Sequence, residues 1–557
     1  MTAATRIATP ALWIGLWGAL VALAMVTRPI LPMDETRYVS VAWEMWRDGQ
    51  FLVPHLNGEP YSHKPPLLFW LMNAGWAAFG VNDWWPRLVA PLFGLASLAM
   101  TGMLARRLWP GRLDVEAAAP LLLLGGLFWS LFTTLTMSDM LVTACALLGF
   151  LGLVRAWRRP GNAGFAVVAL SLGLGVLAKG PAIALHVLPV ALLAPWWGPR
   201  LAVDNGPVEH PPGGWRRWYL GLGAATVLGA LIALAWAVPA AIVGGADYGR
   251  AIFWDQSAGR MVDSFAHERP WWWFLAVLPG MLLPWTLWPQ LWRAAWSGAR
   301  KAVADGGVRF CLCWLAVALA AFSAISGKQL HYLLPEMPAF ALLFAVLLFP
   351  VTSSEGGTVW RWDVWPPAAL VVVACLGVVA LPVLSLFTDL PSWAGNLAPA
   401  WALIGLAAGA AVLWRWPVGM LPRVVVLTSL TAVLVAIVHL VAQPTLAKSF
   451  DLAPAAARLA AWERDGYALA NFGKYHGQFH FLGRLQKPMP AIGLADNDQT
   501  DWLARHPRGK IVSYQRTLPA DAVPDLVAPF RGRSLVVWDA EVVRAHPTAP
   551  YRGGDAD

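Results

Sequence analysis

Apolar runs of about 20 residues, enough to cross the hydrocarbon of a bilayer, recur thirteen times between short polar joints. They fall at about 10–30, 84–105, 117–136, 139–156, 163–178, 181–197, 218–243, 271–292, 308–326, 331–349, 365–387, 398–414 and 424–443. Runs of this length and polarity predict membrane-spanning helices. Charge placement tests the count independently. The second joint carries Arg106, Arg107 and Arg112, the fourth Arg155, Arg158 and Arg159, and the sixth Arg200, Arg216 and Arg217. The eighth carries Arg293, Arg300, Lys301 and Arg309, and the twelfth Arg415 and Arg423. Acidic residues are few there, so the positive-inside rule places these joints and the N-terminus in the cytoplasm. The odd joints at 31–83, 137–138, 179–180, 244–270 and 327–330 then face outward, as does the tail from residue 444 to 557.

Two outward segments have patterns of their own. "ETRYVSVAWEMWRDG" sets Tyr38, Val41, Ala42, Met45 and Trp46 at helical spacing, which predicts an amphipathic interfacial helix. "KPPLLFWLMNAGWAAFG" (64–80) predicts a second, more apolar helix, opened by Pro65 and Pro66 where the missing N–H costs nothing. In the tail, "YALANFGKYHGQFHFLG", "GKIVSYQRT" and "RSLVVWDAEVV" alternate with period two and read as strands, and "DLAPAAARLAAWERDG" as a helix. The expected architecture is an α-helical polytopic membrane protein. A transmembrane domain covers 1–443, with amphipathic helices inside 31–83, and a small outward α/β domain covers 444–557.

Composition agrees. Charged residues make up 13% of the chain, against roughly 25% in soluble proteins. The 35 tryptophans suit membrane interfaces. The net charge of +9 is accounted for by the cytoplasmic joints, and no basic run interleaves with exposed aromatics, so nucleic acid is not an expected partner. Cys145, Cys311, Cys313 and Cys375 all lie in apolar segments, which argues against a disulfide framework. Arg6 and the Ala22-Leu23-Ala24 triplet resemble signal-peptide features, but a retained helix better positions the polar residues that follow at once.

Those polar residues gather on the outward side. The first joint holds Asp34, Glu35, Arg37, Tyr38, Tyr61, His63 and Lys64; the third holds Asp139 and the fifth Lys179. The seventh holds Arg260, His267 and Arg269, and the ninth Lys328, His331 and Tyr332. Ionisable groups beside apolar spans are costly against lipid, so a shared water-accessible cavity is the cheaper arrangement. Individually each has an ordinary reading. Asp34 and Glu35 suit a helix cap and an acidic first turn, Asp139 suits a cap, and Lys64 and Lys179 suit cations at an interface. Lys64 before Pro65-Pro66 also suits an anion held at a helix N-terminus. His63 and His267 lie near carboxylates, a ligand chemistry compatible with a divalent metal, although no local spacing is that of a metal site.

Taken together, "MDETRY", "HKPPLLFWL", "MSDM", "LAKGP" and "GKQLHYLLPEMPAFALL" resemble the membrane-embedded GT-C glycosyltransferases. Within them the likeness is to the bacterial dolichyl-phosphate-mannose protein mannosyltransferase-like group, and in particular its aminoarabinose-transferring branch. It spans about residues 11–443. His63 stands where some relatives carry an acidic residue, which bears on any metal there. The resemblance implies an undecaprenyl-phosphate-linked sugar donor and an acceptor at the periplasmic face of the inner membrane. For that branch it implies transfer of 4-amino-4-deoxy-L-arabinose to a lipid A phosphate, with polymyxin resistance as the outcome. It also implies catalytic roles for Asp34, Asp139 and Glu35, and substrate or phosphate contacts for Lys64, Arg37, Tyr38, Tyr61, Lys179, Arg260, Arg269, Lys328 and Tyr332. His63 and His267 remain metal candidates, no organic cofactor is expected, and the enzyme is expected to act as a monomer among membrane lipids. The alternatives are a transferase of another sugar or with a protein acceptor, and a lipid transporter. A transporter would place its ionisable groups near the midplane and show internal repeats, neither of which the sequence displays.

Overall fold

The computed structural model describes residues 3–201, 209–254, 268–350, 360–388, 393–415, 417–493 and 498–551. Each of the thirteen apolar segments contains helix, and the chain is a multi-pass helical membrane protein. The first elements are α1 (Ala3–Thr27), α2 (Asp34–Asp48), α3 (Leu67–Phe79), α4 (Trp84–Leu108), α5 (Leu113–Leu124), α6 (Leu127–Phe132), α7 (Asp139–Arg158), α8 (Ala163–Lys179), α9 (Ala182–Leu192), α10 (Ala194–Trp197) and α11 (Gly214–Arg250). Further spans start at Gly306, Leu330, Arg361 and Met420.

Eight helices among the described residues are long and apolar enough to cross a membrane unaided. The other five predicted segments are broken or short. The third is divided into α5 and α6 at Gly125-Gly126, and the sixth bends by 46° between α9 and α10. The fifth, α8, has 17 residues, and the twelfth reduces to Ala402–Trp414 behind a 3-10 turn. In the eighth, Trp273–Met281 stops short and the chain turns into Pro289–Ala302, which carries Trp292, Arg293 and Trp296 in an amphipathic pattern. Hydropathy cannot register such breaks, because the apolar composition runs through them. The last span continues through Pro444 to Ser449, past the expected boundary at 443.

Local chemistry explains the end of α1. Arg87 on α4 donates to the carbonyls of Ala24 (3.0 Å), Met25 (2.9 Å) and Arg28 (2.7 Å), covering acceptors a helix C-terminus leaves open. Helix α2 is closed by Gly49 in the left-handed conformation (φ 65°), whose N–H returns to Met45. Between α2 and α3 a hairpin pairs β1 (His55–Leu56) with β2 (Glu59–Pro60). Its turn is Asn57-Gly58, both at positive φ, a turn signalled by the Asn-Gly dipeptide. Glu44 of α2 accepts from the N–H groups of Asn57 (2.6 Å) and Gly58 (2.9 Å) and holds the turn against the helix.

The tail forms a five-stranded sheet of β3 (Ala468–Phe472), β4 (Ala491–Ile492), β5 (Gly509–Gln515), β6 (Leu526–Phe530) and β7 (Arg533–Asp539), in the order β4-β3-β5-β7-β6. The β4-β3-β5 part is parallel and β5-β7-β6 antiparallel, with an apolar core on each side. Two strand expectations are corrected: "RSLVVWDAEVV" is a strand only to Asp539, after which Ala540–Ala545 is a helix. "YALANFGKYHGQFHFLG" is a strand only to Phe472; positive φ at Gly473 and Gly477 turns the chain into the short helix His480–Gly483.

That turn docks on α2. Ser40 Oγ donates to the Gly477 carbonyl (2.6 Å) and accepts from the Phe481 N–H (3.1 Å). Asn57 and Met489 exchange two hydrogen bonds, of 2.9 and 2.7 Å, and Phe481 stacks on Trp76 of α3 with centroids 5.3 Å apart. Gly477 (φ 73°) sits so close that a Cβ would lie 2.3 Å from Leu56 Cδ1. Gly477→Ala is therefore expected to loosen the tail, with about 1–2 kcal/mol of backbone strain before any clash. Limited proteolysis should cut between the last span and β3 faster in the variant; unchanged cleavage would mean the contact is not needed for docking.

Candidate functional site

Helices α7 and α8 pack as antiparallel neighbours, so the first residue of α7 and the last of α8 emerge together. These are Asp139 and Lys179, and they form a direct ion pair. Asp139 is buried, and the Lys179 ammonium also lies 4.8 Å from the centroid of the Tyr332 ring. Tyr332 and His331 sit in a 3-10 turn, Leu330–Glu336, that leads into the tenth span. Lys64, Lys179 and His331 all lie within electrostatic reach of Asp139, and Asp34 within reach of His331. Residues separated by up to about 300 positions thus converge at one end of the bundle.

Tyr38 of α2 is buried beside this group and feels Asp34, Tyr61, Arg37 and Asp139. Burial pushes its phenol well above the usual tyrosine range, so it serves as a neutral hydroxyl. Phe69 of α3 lies 6.3 Å from Tyr38 and 6.2 Å from Tyr61 between ring centroids. Arg37 bonds to Asp34 three residues earlier, while its Nε is buried with no hydrogen-bond partner. A buried guanidinium N–H left unpaired is costly, and a ligand oxygen would satisfy it.

The adjacent carboxylates separate cleanly. The Asp34 side chain is 55% exposed, and the Glu35 side chain 4%. Glu35 accepts from Arg28, from the Leu31 N–H (2.9 Å) and from the Thr136 N–H (2.7 Å). Arg28 also donates to the Thr134 carbonyl at 2.9 Å. Burial alone would raise the Glu35 pKa, but the Arg28 charge and these hydrogen bonds outweigh it and hold the carboxyl below its ordinary value. Glu35 fastens the end of α1 to the segment before α7. The expectation of a catalytic Glu35 is corrected by this geometry, and Arg28, its partner, was not singled out from the sequence.

Lys328 is corrected in the same way. It is 3% exposed and donates to the carbonyls of Ile325 and Arg269 (3.0 Å), so its donors are turned to backbone, not to a phosphate. Burial lowers its pKa. Lys328→Ala is expected to lower the unfolding temperature by a few degrees, through loss of about 1–3 kcal/mol of charged hydrogen bonding. Affinity for the undecaprenyl phosphate that the resemblance implies should stay the same; a selective loss of that affinity would restore Lys328 as a phosphate ligand.

Arg269 is exposed, with its backbone N–H on the Ser326 carbonyl. Arg260 and His267 lie outside the described residues. His63 is exposed and stacks on Tyr61 at 5.3 Å, and no three His, Cys, Asp or Glu side chains among the described residues converge as a metal site. Of the candidates, the fold gathers Asp34, Arg37, Tyr38, Tyr61, His63, Lys64, Asp139, Lys179 and Tyr332. A buried pair behind them, His186 with Glu336 at 2.6 Å, had no sequence signal beyond its two polar residues in apolar runs.

Residues 63–204 match the family model of dolichyl-phosphate-mannose-protein mannosyltransferase. A Pseudomonas aeruginosa (strain LESB58) protein named undecaprenyl phosphate-alpha-4-amino-4-deoxy-L-arabinose arabinosyl transferase is 34% identical over 321 residues, 56% of this chain and 54% of that one. A protein of the same name from Pseudomonas savastanoi pv. phaseolicola is 28% identical over 378 residues, 65% of this chain and 67% of that one. The matched stretch spans about half the length of the Pseudomonas aeruginosa relative. Crystal structures of ArnT from Cupriavidus metallidurans, apo and bound to undecaprenyl phosphate, superpose with TM-scores of 0.72 and 0.70 at 20% identity. They cover 97% and 95% of this chain, and 99% and 97% of theirs, so the shared fold includes the tail.

Proposed function

On a chain with the GT-C glycosyltransferase fold and a mannosyltransferase-family segment over residues 63–204, we propose an inverting sugar transfer from undecaprenyl phosphate to a lipid A phosphate. The sugar is 4-amino-4-deoxy-L-arabinose, the site faces the periplasm from the inner membrane, and the outcome is resistance to polymyxin and other cationic peptides. The observation that carries this reading is the convergence of Asp34, Lys64, Asp139, Lys179 and Tyr332 at one end of the bundle. The names of the relatives select the sugar. An acceptor phosphate oxygen attacks the anomeric carbon, the bond from that carbon to the donor's phosphate oxygen breaks, and the departing phosphate keeps the electron pair. One displacement inverts the centre.

Negative charge grows on the leaving phosphate, so preorganised cations are the main requirement. Lys64 and Lys179 supply them, with Lys179 held in place by Asp139, which acts as a positioning residue. A lipid A phosphate is anionic near neutral pH and needs no deprotonation. Asp34, the exposed carboxylate, therefore binds the sugar's cationic amine or orients the nucleophile; with a hydroxyl acceptor it would be the general base. His63 stacks on Tyr61 and belongs to no group of three or more His, Cys, Asp or Glu side chains among the described residues, and no step is assigned to a metal.

The test is mass spectrometry of lipid A from a polymyxin-sensitive strain lacking its own transferase and expressing this chain. A gain of one aminoarabinose is expected. Unmodified lipid A, despite correctly inserted protein and available donor, would sink the reading in favour of another sugar or a protein acceptor.

A further inference from the structure

We propose that the tail completes the outward rim of the site, and that its turn Lys474-Tyr475-His476 positions the acceptor by contacting an acidic headgroup beside Asp34 and Arg37. The inference rests on the reading above for the acceptor's chemistry. Its structural basis is the docking of the tail on α2.

Arg37 and Ser40 are three residues apart and share one face of α2. Ser40 is bonded to Gly477, next to His476, and to Phe481 just beyond it. This double contact fixes the turn on the Arg37 face. The backbone N–H of His476 donates to Gln478 Oε1 at 3.0 Å, and Gln478 is tied by a 2.5 Å bond to the Tyr514 hydroxyl on β5. The turn is therefore anchored on both sides, to the membrane domain and to the sheet. The charges of Arg37 and Asp34 act on His476 across the interface, and that of Lys474 from within the turn. Burial, reinforced by Arg37 and Lys474, lowers the His476 pKa, so near neutral pH it offers a neutral ring nitrogen beside two cations.

Charge balance points to the ligand. Two carboxylates, Asp34 and Asp139, face four cations, Arg37, Lys64, Lys179 and Lys474. Lys179 is neutralised by Asp139, and Arg37 only in part by Asp34, since its buried Nε is unpaired. Arg37 and Lys474, which both act on His476, suit a phosphate beyond the donor's. A polyprenyl phosphate brings one phosphate at the membrane surface, whereas the tail lies above α2 and meets whatever projects further out. A phosphorylated glycolipid, with phosphates spread over a sugar headgroup, fits both demands.

The experiment uses the full chain in nanodiscs and measures equilibrium binding of lipid A, of enzymatically dephosphorylated lipid A and of undecaprenyl phosphate. The variants are Lys474→Glu, whose side chain is exposed and whose fold is safe, and His476→Asn, with unfolding temperatures recorded for both. The expected result for Lys474→Glu is a Kd for lipid A raised about tenfold, with that for undecaprenyl phosphate within about twofold of wild type. Dephosphorylated lipid A should bind wild type and variant alike, and inorganic phosphate at millimolar levels should not reproduce the effect. Unchanged lipid A affinity, an equal loss for both lipids, or no lipid A binding by the wild type would each overturn the proposal. A wild type that binds lipid A in a Lys474-dependent way but transfers no aminoarabinose would overturn the sugar-transfer reading and leave this one standing.

Discussion

Asp34→Asn is expected to lower the transfer rate about a thousandfold, within the range of about 10²–10⁴ that a positioned carboxylate contributes. The fold should be untouched. Asp34 pairs with Arg37 at an i,i+3 spacing, its own carboxylate more than half exposed, and helix-surface pairs of this kind contribute about 1 kcal/mol or less. Asparagine keeps the shape and one acceptor but removes the charge, so the variant isolates the charge from the packing. With a phosphate acceptor, the loss comes from the unbalanced sugar amine or a misplaced nucleophile. With a hydroxyl acceptor, it comes from the absent base, and raising the pH should then recover part of the rate, because hydroxide can take over the proton. The measurement is the initial transfer rate of purified variant and wild type between pH 6.5 and 9.5, with unfolding temperatures matched. A variant within tenfold of wild type would remove Asp34 from the chemistry altogether.

The same pair of residues shows what could and could not be read along the chain. Asp34 and Glu35 are adjacent and identical in charge, and no periodicity distinguishes them. About 100° of helical rotation points one to solvent and the other under the end of α1, where Arg28 meets it. The membrane spans were legible because hydropathy and arginine placement are one-dimensional signals. The breaks at Gly125-Gly126 and after Met281 were not, because their apolar composition does not change across the break. Asp139 and Lys179 were legible as charges in the wrong place, beside spans, and the fold supplied their pairing. Lys328 carried the same signal and the opposite outcome, since its backbone acceptors exist only once the loop closes. The docking of the tail joins residues about 440 positions apart, such as Ser40 and Gly477. Only the Asn57-Gly58 turn among its contacts had a local sequence signature.

Glu35→Gln is expected to cost about 3–5 kcal/mol of stability, the range for removing one partner of a buried ion pair. Both side chains of the Arg28–Glu35 pair are 4% exposed, so the guanidinium left behind cannot be rehydrated without opening the end of α1. Glutamine can still accept from Leu31 or Thr136, which keeps the local shape and assigns the loss to the charge. The sign of the pH dependence follows from the lowered pKa of Glu35 in the folded chain. Its contribution is fully present above the ordinary carboxyl value of 4.5 and is lost as pH falls through the lower folded value. Wild type and variant should therefore differ most near neutral pH and converge in acid. Thermal unfolding in detergent at pH 7 and at pH 3.5 measures both, and the transfer rate per folded molecule at neutral pH should be nearly unchanged. A variant as stable as wild type but inactive would reverse the assignment and make Glu35, not Asp34, the carboxylate that meets substrate.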